Sequence, residues 1–361
     1  MNSKDRIFGL DILRFIAVST VVIGHTFYTL PIGADPTFVR CVFFDGVNIF
    51  FTLSGFLIGG ILIKKLSEKP ATFSTLATFW RDRWLRTLPA YFFILILIII
   101  WEGGHFADYK RHFVFLQNVH TGEFKGYRES WSLSIEEWFY LTTPILFIIT
   151  LRYLPLRIAT PVIIVSIFIA GNIIRAIRMP QVNNYMDLVW RILMSMPTRI
   201  DAVAFGLLGA YLQFYKFRIW TDYKKLFFTI GVIGFFANHY YGIFADFSFY
   251  SKFLHKQIES AFVLMTLPYL ASIKEGKGIV ASFITFVALI SYSIYLVHAA
   301  FFVEVIYPFV PPIMKYQFLA YYGWALVGSV ILYYTVERWG LMLRNYLKRR
   351  SQQAIVRRIN E

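Results

Sequence analysis

The chain has 361 residues, of which 57% are hydrophobic and 19% aromatic, and it carries a formal net charge of +15 at pH 7. Apolar stretches of about 18 residues or more recur along it, which excludes an ordinary soluble domain and predicts a polytopic helical membrane protein. The basic residues fall between and after those stretches, so membrane topology accounts for the charge and no nucleic acid partner is expected.

The first run covers residues 7–27 and contains LDILRFIAVSTVVIGH. No small-residue cleavage site follows a short apolar core, so it reads as a retained signal-anchor helix. Arg14 and His25 lie within it, eleven positions apart. On a helix that spacing puts them nearly on one face, about 16 Å apart along the axis. An ionisable group inside a bilayer costs from about 2.5 kcal/mol upward, so it marks a task or a partner. A snorkelling arginine with an interfacial histidine is the bland alternative. Pro31, Gly33, Asp35 and Pro36 mark a polar connection. The second run, 47–63, carries Gly55, Gly59 and Gly60, small residues that allow helices to approach closely.

A basic loop is expected next, with Lys64, Lys65, Lys69, Arg81, Arg83 and Arg86. The positive-inside rule places it, and hence the N-terminus, in the cytoplasm. The third run starts near Leu85. Residues 102–129 are polar and hold His105, His112 and His120, with a short lateral helix expected at HFVFLQN. The fourth helix is SWSLSIEEWFYLTTPILFIITL, and the fifth covers 158–177. Residues 178–197 are expected outside, with 189–196 partly embedded. Further runs cover 199–214, 226–244, 258–273, 279–303 and 318–336. Lys216, Arg218, Lys224, Lys225, Lys274 and Lys277 mark the cytoplasmic side between them. The expected fold is all-α, with about ten transmembrane helices and both termini cytoplasmic. Residues 1–343 form the membrane domain. Residues 344–361 form a basic cytoplasmic tail, read as an anchor on anionic lipid. The one cysteine, Cys41, excludes an intrachain disulfide.

Four further constellations could carry chemistry. Glu136 and Glu137 stand in the first turns of the fourth helix and point about 100° apart, so one of them can face a given cavity. A buried carboxylate there could orient or charge-balance a histidine, whereas an acidic pair near a helix N-terminus is also favoured by the dipole alone. In FWRDRWLRTLPAY, arginines suit bidentate phosphate recognition and Trp80 and Trp84 suit the headgroup level. A positive-inside segment explains the same residues. In TRIDAVAFG, Arg199 and Asp201 could neutralise each other inside the membrane. SYSIYLVH ends in His298, with Tyr292 and Tyr295 before it, and a lone histidine there reads as structural. The histidines at 105, 112 and 120 lack a helical metal-ligand spacing, so no metal is expected. No nucleophile elbow or phosphate-binding glycine loop is present. No internal repeat supports a repeat-built transporter.

Arg14 with His25, FFTLSGFLI, WRDRWLRTLPAY, SWSLSIEEWFYL, TRIDAVAFG and SYSIYLVH together resemble acyltransferase family 3. The motifs follow the family's order over nearly the whole chain. The resemblance implies an integral O-acyltransferase of the bacterial inner (plasma) membrane. It implies acetyl-CoA or another acyl-CoA as donor substrate, with no permanently bound cofactor. The implied acceptor is a hydroxyl of a cell-envelope carbohydrate or lipid-linked glycan. It implies His25 as general base or transient acyl carrier, Arg14 in acyl-CoA handling, and Glu136 as the acidic partner that holds the imidazole. Arg83, Arg86 and Ser54 match donor-binding motifs, while Glu137, Arg199, Asp201, His298 and Tyr295 form a second tier. Two departures stand out. Asn48 replaces a frequent Asp, and Asp82 interrupts an arginine run and weakens the anion affinity expected of it. Many members extend into an extracytoplasmic hydrolase-like domain, and none is expected within this sequence. A transporter or flippase of a glycolipid or acyl compound is the alternative from another class, because intramembrane charges also mark transport paths.

Overall fold

The computed structural model describes residues 6–29, 36–119, 126–245, 248–299 and 301–360. All regular elements among them are helical. In chain order they are α1 (Phe8–Thr29), α2 (Pro36–Val42), α3 (Gly46–Glu68), α4 (Phe73–Glu102), α5 (Phe106–Phe113), α6 (Ser130–Thr150), α7 (Leu156–Arg178), α8 (Tyr185–Leu188), α9 (Met196–Tyr215), α10 (Phe217–Asp222), α11 (Lys224–Phe244), α12 (His255–Leu270), α13 (Gly278–Val297), α14 (Met314–Leu332) and α15 (Arg338–Asn360). Among the described residues, seven helices are long and apolar enough to cross a membrane. The stretches Tyr185–Leu193 and Met196–Tyr215, bent by 56° at their break, make an eighth if counted as one span. The chain is an all-α, multi-pass membrane protein.

Every apolar run read from the sequence is helical, but several bounds move. α4 begins at Phe73, so Arg81, Arg83 and Arg86 sit on a helix rather than in a loop. Thr72 caps that helix by accepting from the Thr75 amide, which satisfies a donor the first turn would otherwise leave open. The lateral helix lies at Phe106–Phe113, upstream of the expected HFVFLQN. Its charged residues Lys110 and Arg111 fall in the last turn, where the dipole favours them. α13 stops at Val297, short of residue 303. At the other end, α14 and α15 continue through a wide turn at Tyr333–Glu337, so the tail extends a helix. Pro31, Gly33, Asp35 and His120 lie outside the described residues.

The bundle is tightest where α3 meets α9. A Cβ on Gly55 would lie 1.9 Å from the Val203 carbonyl, so only glycine admits this contact. Helix α1 packs on α3 and α13, and α12 packs on α11, α9 and α3. Pro89 removes the amide that would bond the Leu85 carbonyl, and α15 places Gly340 against that carbonyl. These contacts gather α1, α3, α4, α6, α9, α12 and α13 around two internal cavities.

Candidate active site

The first cavity lies toward the end of the bundle that carries Lys64, Lys65 and the N-terminus of α4. Its volume is about 90 Å³, and Arg14, Arg83, Arg86, Glu136, Ser54 and Tyr292 are among its lining. Five helices therefore deliver side chains that are far apart in sequence. On α4, the three-residue step from 83 to 86 keeps those two guanidiniums on one face. Arg81 turns away and bonds Asp82 at 3.0 Å. Asp82 also takes Lys348 of α15 at 3.1 Å, so it ties the tail to α4 and pairs with none of the cavity arginines. Neither Arg81 nor Asp82 is among the residues that line the cavity.

Arg83 contacts Glu136 at 3.3 Å and lies over the Tyr140 ring at 4.2 Å. The Tyr140 hydroxyl donates to the same Glu136 carboxylate. Arg14 is braced by Asp11 at 2.8 Å, one turn earlier on α1, and Asp11 also takes Arg6. The i,i+3 spacing of Asp11 and Arg14 is a pairing signal that the sequence reading did not use. Arg86 makes no hydrogen bond or ion pair with a described residue. The cavity lining thus holds three guanidiniums and one carboxylate, with Asp11 bracing Arg14 from outside it and Arg86 left free, a composition that suits an anion.

Of the two adjacent glutamates, Glu136 lines this cavity. Glu137 points elsewhere and accepts from Thr87 Oγ1 at 3.1 Å.

The second cavity, about 310 Å³, opens at the opposite end of α1 and contains His25. Its lining includes aromatic faces, Trp131 and Phe44 among them, and the charged side chains Asp45, Arg199 and Lys256. His25 Nδ1 lies 2.8 Å from the Val21 carbonyl. A carbonyl only accepts, so Nδ1 carries the proton and neutral His25 presents Nε2 as a lone pair. Glu136 belongs to the other cavity and bonds Arg83 and Tyr140, so it does not hold this imidazole. The backbone one turn earlier does. The ring of His298 packs edge-to-face on His25, with centroids 4.8 Å apart. His298 is fully buried, and its Nδ1 donates to the Tyr295 carbonyl at 2.8 Å.

Arg199 and Asp201 do not pair. Two positions apart on a helix they face different ways. Asp201 bonds Arg175 of α7 at 2.8 Å, an intramembrane arginine missed in the sequence although its charge in an apolar run marks it. Arg199 instead donates to Asn48 Oδ1 at 2.8 Å and stands 3.8 Å from Asp45. Asn48 also accepts from Ser260 and donates to the Lys256 carbonyl, so its amide is used on both sides. Lys256 closes the network on Asp45 at 2.9 Å and Glu259 at 2.7 Å. Asp45 stands just ahead of α3. Burial alone would raise its carboxyl, but Lys256 and Arg199 outweigh that and hold it well below the ordinary carboxylate range. Asn48 therefore sits beside a carboxylate three residues earlier, which supplies the negative charge near Arg199.

The family model described as an acyltransferase domain matches residues 7–334, nearly the whole chain and every residue of both cavities named above. The chain belongs to acyltransferase family 3. Among curated relatives, a peptidoglycan O-acetyltransferase, OatA, from Listeria monocytogenes is 26% identical over 196 residues, covering 49% of this chain and 29% of that protein. The O-acetyltransferase OatA of Staphylococcus aureus is 27% identical over 246 residues, covering 63% of this chain and 38% of that protein. The chain thus spans well under half the length of these relatives. No solved structure matches it.

Proposed function

We propose that the chain is a membrane O-acyltransferase that moves an acyl group, in the simplest case acetyl, from acyl-CoA to a hydroxyl of a cell-envelope carbohydrate. The observation that carries this reading is the pair of cavities. One is lined by guanidiniums, the other by a histidine with an open Nε2, and Val47 and Tyr295 line both. The basic end faces the cytoplasm of a bacterial plasma membrane by the positive-inside rule, with about ten spans and both termini inside. The donor enters there. At about 90 Å³ its cavity is well below the roughly 300–1,000 Å³ of sites that enclose a drug-sized ligand. It suits one end of the donor, with Arg14, Arg83 and Arg86 as the cations that would meet its phosphates. Ser54 and Glu136 line the same cavity.

The acceptor hydroxyl occupies the larger cavity. His25 Nε2 takes its proton as the oxygen attacks the thioester carbonyl. The C–O bond forms, the C–S bond breaks, and the proton passes from the imidazolium to the departing thiolate. In a two-step variant Nε2 attacks the thioester first and the hydroxyl then displaces the acyl-imidazole. Both routes need the same nitrogen.

The test uses membranes with wild type or His25→Ala, labelled acetyl-CoA and host envelope glycans. Label in an alkali-labile glycan ester with wild type, and none with His25→Ala, is the expected result. Equal transfer by His25→Ala contradicts both routes. Movement of a glycolipid without label transfer by wild type would favour a flippase instead.

A further inference from the structure

Glu337 is a buried carboxylate, 2% exposed, that lines neither cavity. It closes the wide turn Tyr333–Glu337 between α14 and α15, a local expansion of a kind that recurs at functional sites. Its Oε2 accepts from Ser293 Oγ of α13 at 2.7 Å, and among the described residues Oε1 accepts nothing. A buried carboxylate needs a cation to balance it. The cation whose charge acts on Glu337 is Arg86, and Glu337 is the acidic group that acts most strongly on Arg86. The chain on either side of Arg86 is held by the same two elements that hold Glu337. A Cβ on Gly340 of α15 would lie 2.1 Å from the Leu85 carbonyl oxygen, so α15 seats against α4 one residue before Arg86. Glu337 stands three residues before Gly340 on the same helical path, in a turn that packs on α4. Tyr292 of α13, beside Ser293, donates its hydroxyl to the Thr87 carbonyl at 2.9 Å, one residue after Arg86. The two charges are thereby fixed near each other with no ion pair between them.

Resting on the function proposed above, we infer that Glu337 is the resting counter-charge of Arg86, balancing the guanidinium while the donor site is empty and ceding that role to a donor phosphate. Near but unbonded, the carboxylate offsets the guanidinium through a medium of low dielectric. The guanidinium keeps its N–H donors for an incoming phosphate. Carboxylate and phosphate then oppose each other at one cation. Glu337 therefore stabilises the empty protein and loosens the hold on a CoA-type donor, and equally on the spent CoA that must leave after transfer. It touches no substrate and acts through Arg86, as a positioning residue.

The experiment titrates the full chain in detergent with CoA by calorimetry and records thermal unfolding with and without CoA. Glu337→Gln keeps the shape and an oxygen for Ser293 but removes the charge. It is expected to lower Tm without CoA and to tighten CoA binding by on the order of tenfold. The larger affinity gives a larger CoA-induced rise in Tm than in wild type. In an Arg86→Ala background the same change is expected to alter the CoA affinity by less than about twofold. Ser293→Ala frees the carboxylate to pair with Arg86 directly, so CoA should bind about fivefold more weakly. Opposite signs from the two variants are an outcome that general loosening of the fold would not give. Unchanged or weaker CoA binding by folded Glu337→Gln overturns the inference, as does tightening that persists without Arg86. Should Glu337→Gln not fold, wild-type or tighter binding by Ser293→Ala overturns it. Failure of the wild type to bind CoA strikes the proposed donor instead, so the two failures are distinguishable.

Discussion

The two cavities differ in how their charges are balanced. In the smaller one, Arg83 is paired with Glu136 and Arg14 with Asp11, while Arg86 has no ion-pair partner among described residues. In the larger one, Arg199 and Lys256 are tied to Asp45 and Glu259 in a closed network. Burying unpaired cations is expensive unless an anion completes the site, whereas a paired network can stand in a cavity as a fixed polar lining. That difference suits the anionic donor and the uncharged acceptor of the proposed function, one in each cavity.

Four predictions would break or sharpen that contrast. The largest effect is expected at His25. His25→Ala should lower acyl transfer by about 100- to 10,000-fold, the range for loss of a positioned proton acceptor, with donor affinity nearly unchanged. Isothermal titration with a non-hydrolysable acetyl-CoA analogue, set against the transfer rate, checks both halves. Next, Asp201→Asn should cost about 3–5 kcal/mol of stability, because Arg175 loses its buried counter-charge. It should leave turnover per folded molecule near wild type, as Asp201 faces neither cavity. Thermal unfolding in detergent and active-site-normalised rates separate the two. In the smaller cavity, Arg86→Ala should weaken the donor by about 1.5–3 kcal/mol, the scale of one hydrogen bond to a charged group, and leave the acceptor KM in place.

The smallest effect lies outside both cavities. Burial pushes His112, on α5, down to about 4 from its ordinary 6.5. The folded state thus prefers the neutral ring. Its contribution is fully present above about pH 6.5 and is lost as pH falls toward 4. The loss at pH 5 should be about 2 kcal/mol for wild type and absent in His112→Gln. Melting curves at pH 7.5 and 5 read it directly. A pH dependence equal in both proteins would remove the assignment.

Hydropathy and charge placement made the helices legible, since a bilayer requires every backbone polar group to be satisfied within the span. The residues around the cavities were legible one at a time. Arg14, His25, Arg83, Arg86, Ser54 and Glu136 were all singled out, and each lines one of the two cavities. What the sequence could not show was who meets whom. Arg199 and Asp201 looked like a pair because they are neighbours in the chain, yet helix geometry sends one to Asn48 and Asp45 and the other to Arg175. Glu136 looked like the partner of His25 because both are ionisable, yet they belong to different cavities. Asp45 and Lys256 stand 2.9 Å apart across more than two hundred residues, a contact that only the packing of α3 on α12 creates. Start positions also slipped where polar residues sit on helices, as at Phe73, because charge alone reads as loop.

The most direct test of the account is a structure with a non-hydrolysable acetyl-CoA analogue bound. The account predicts phosphate density at Arg14, Arg83 and Arg86, with the acyl end against Tyr295. Phosphates seated instead at Arg199 and Lys256, beside His25, would contradict it.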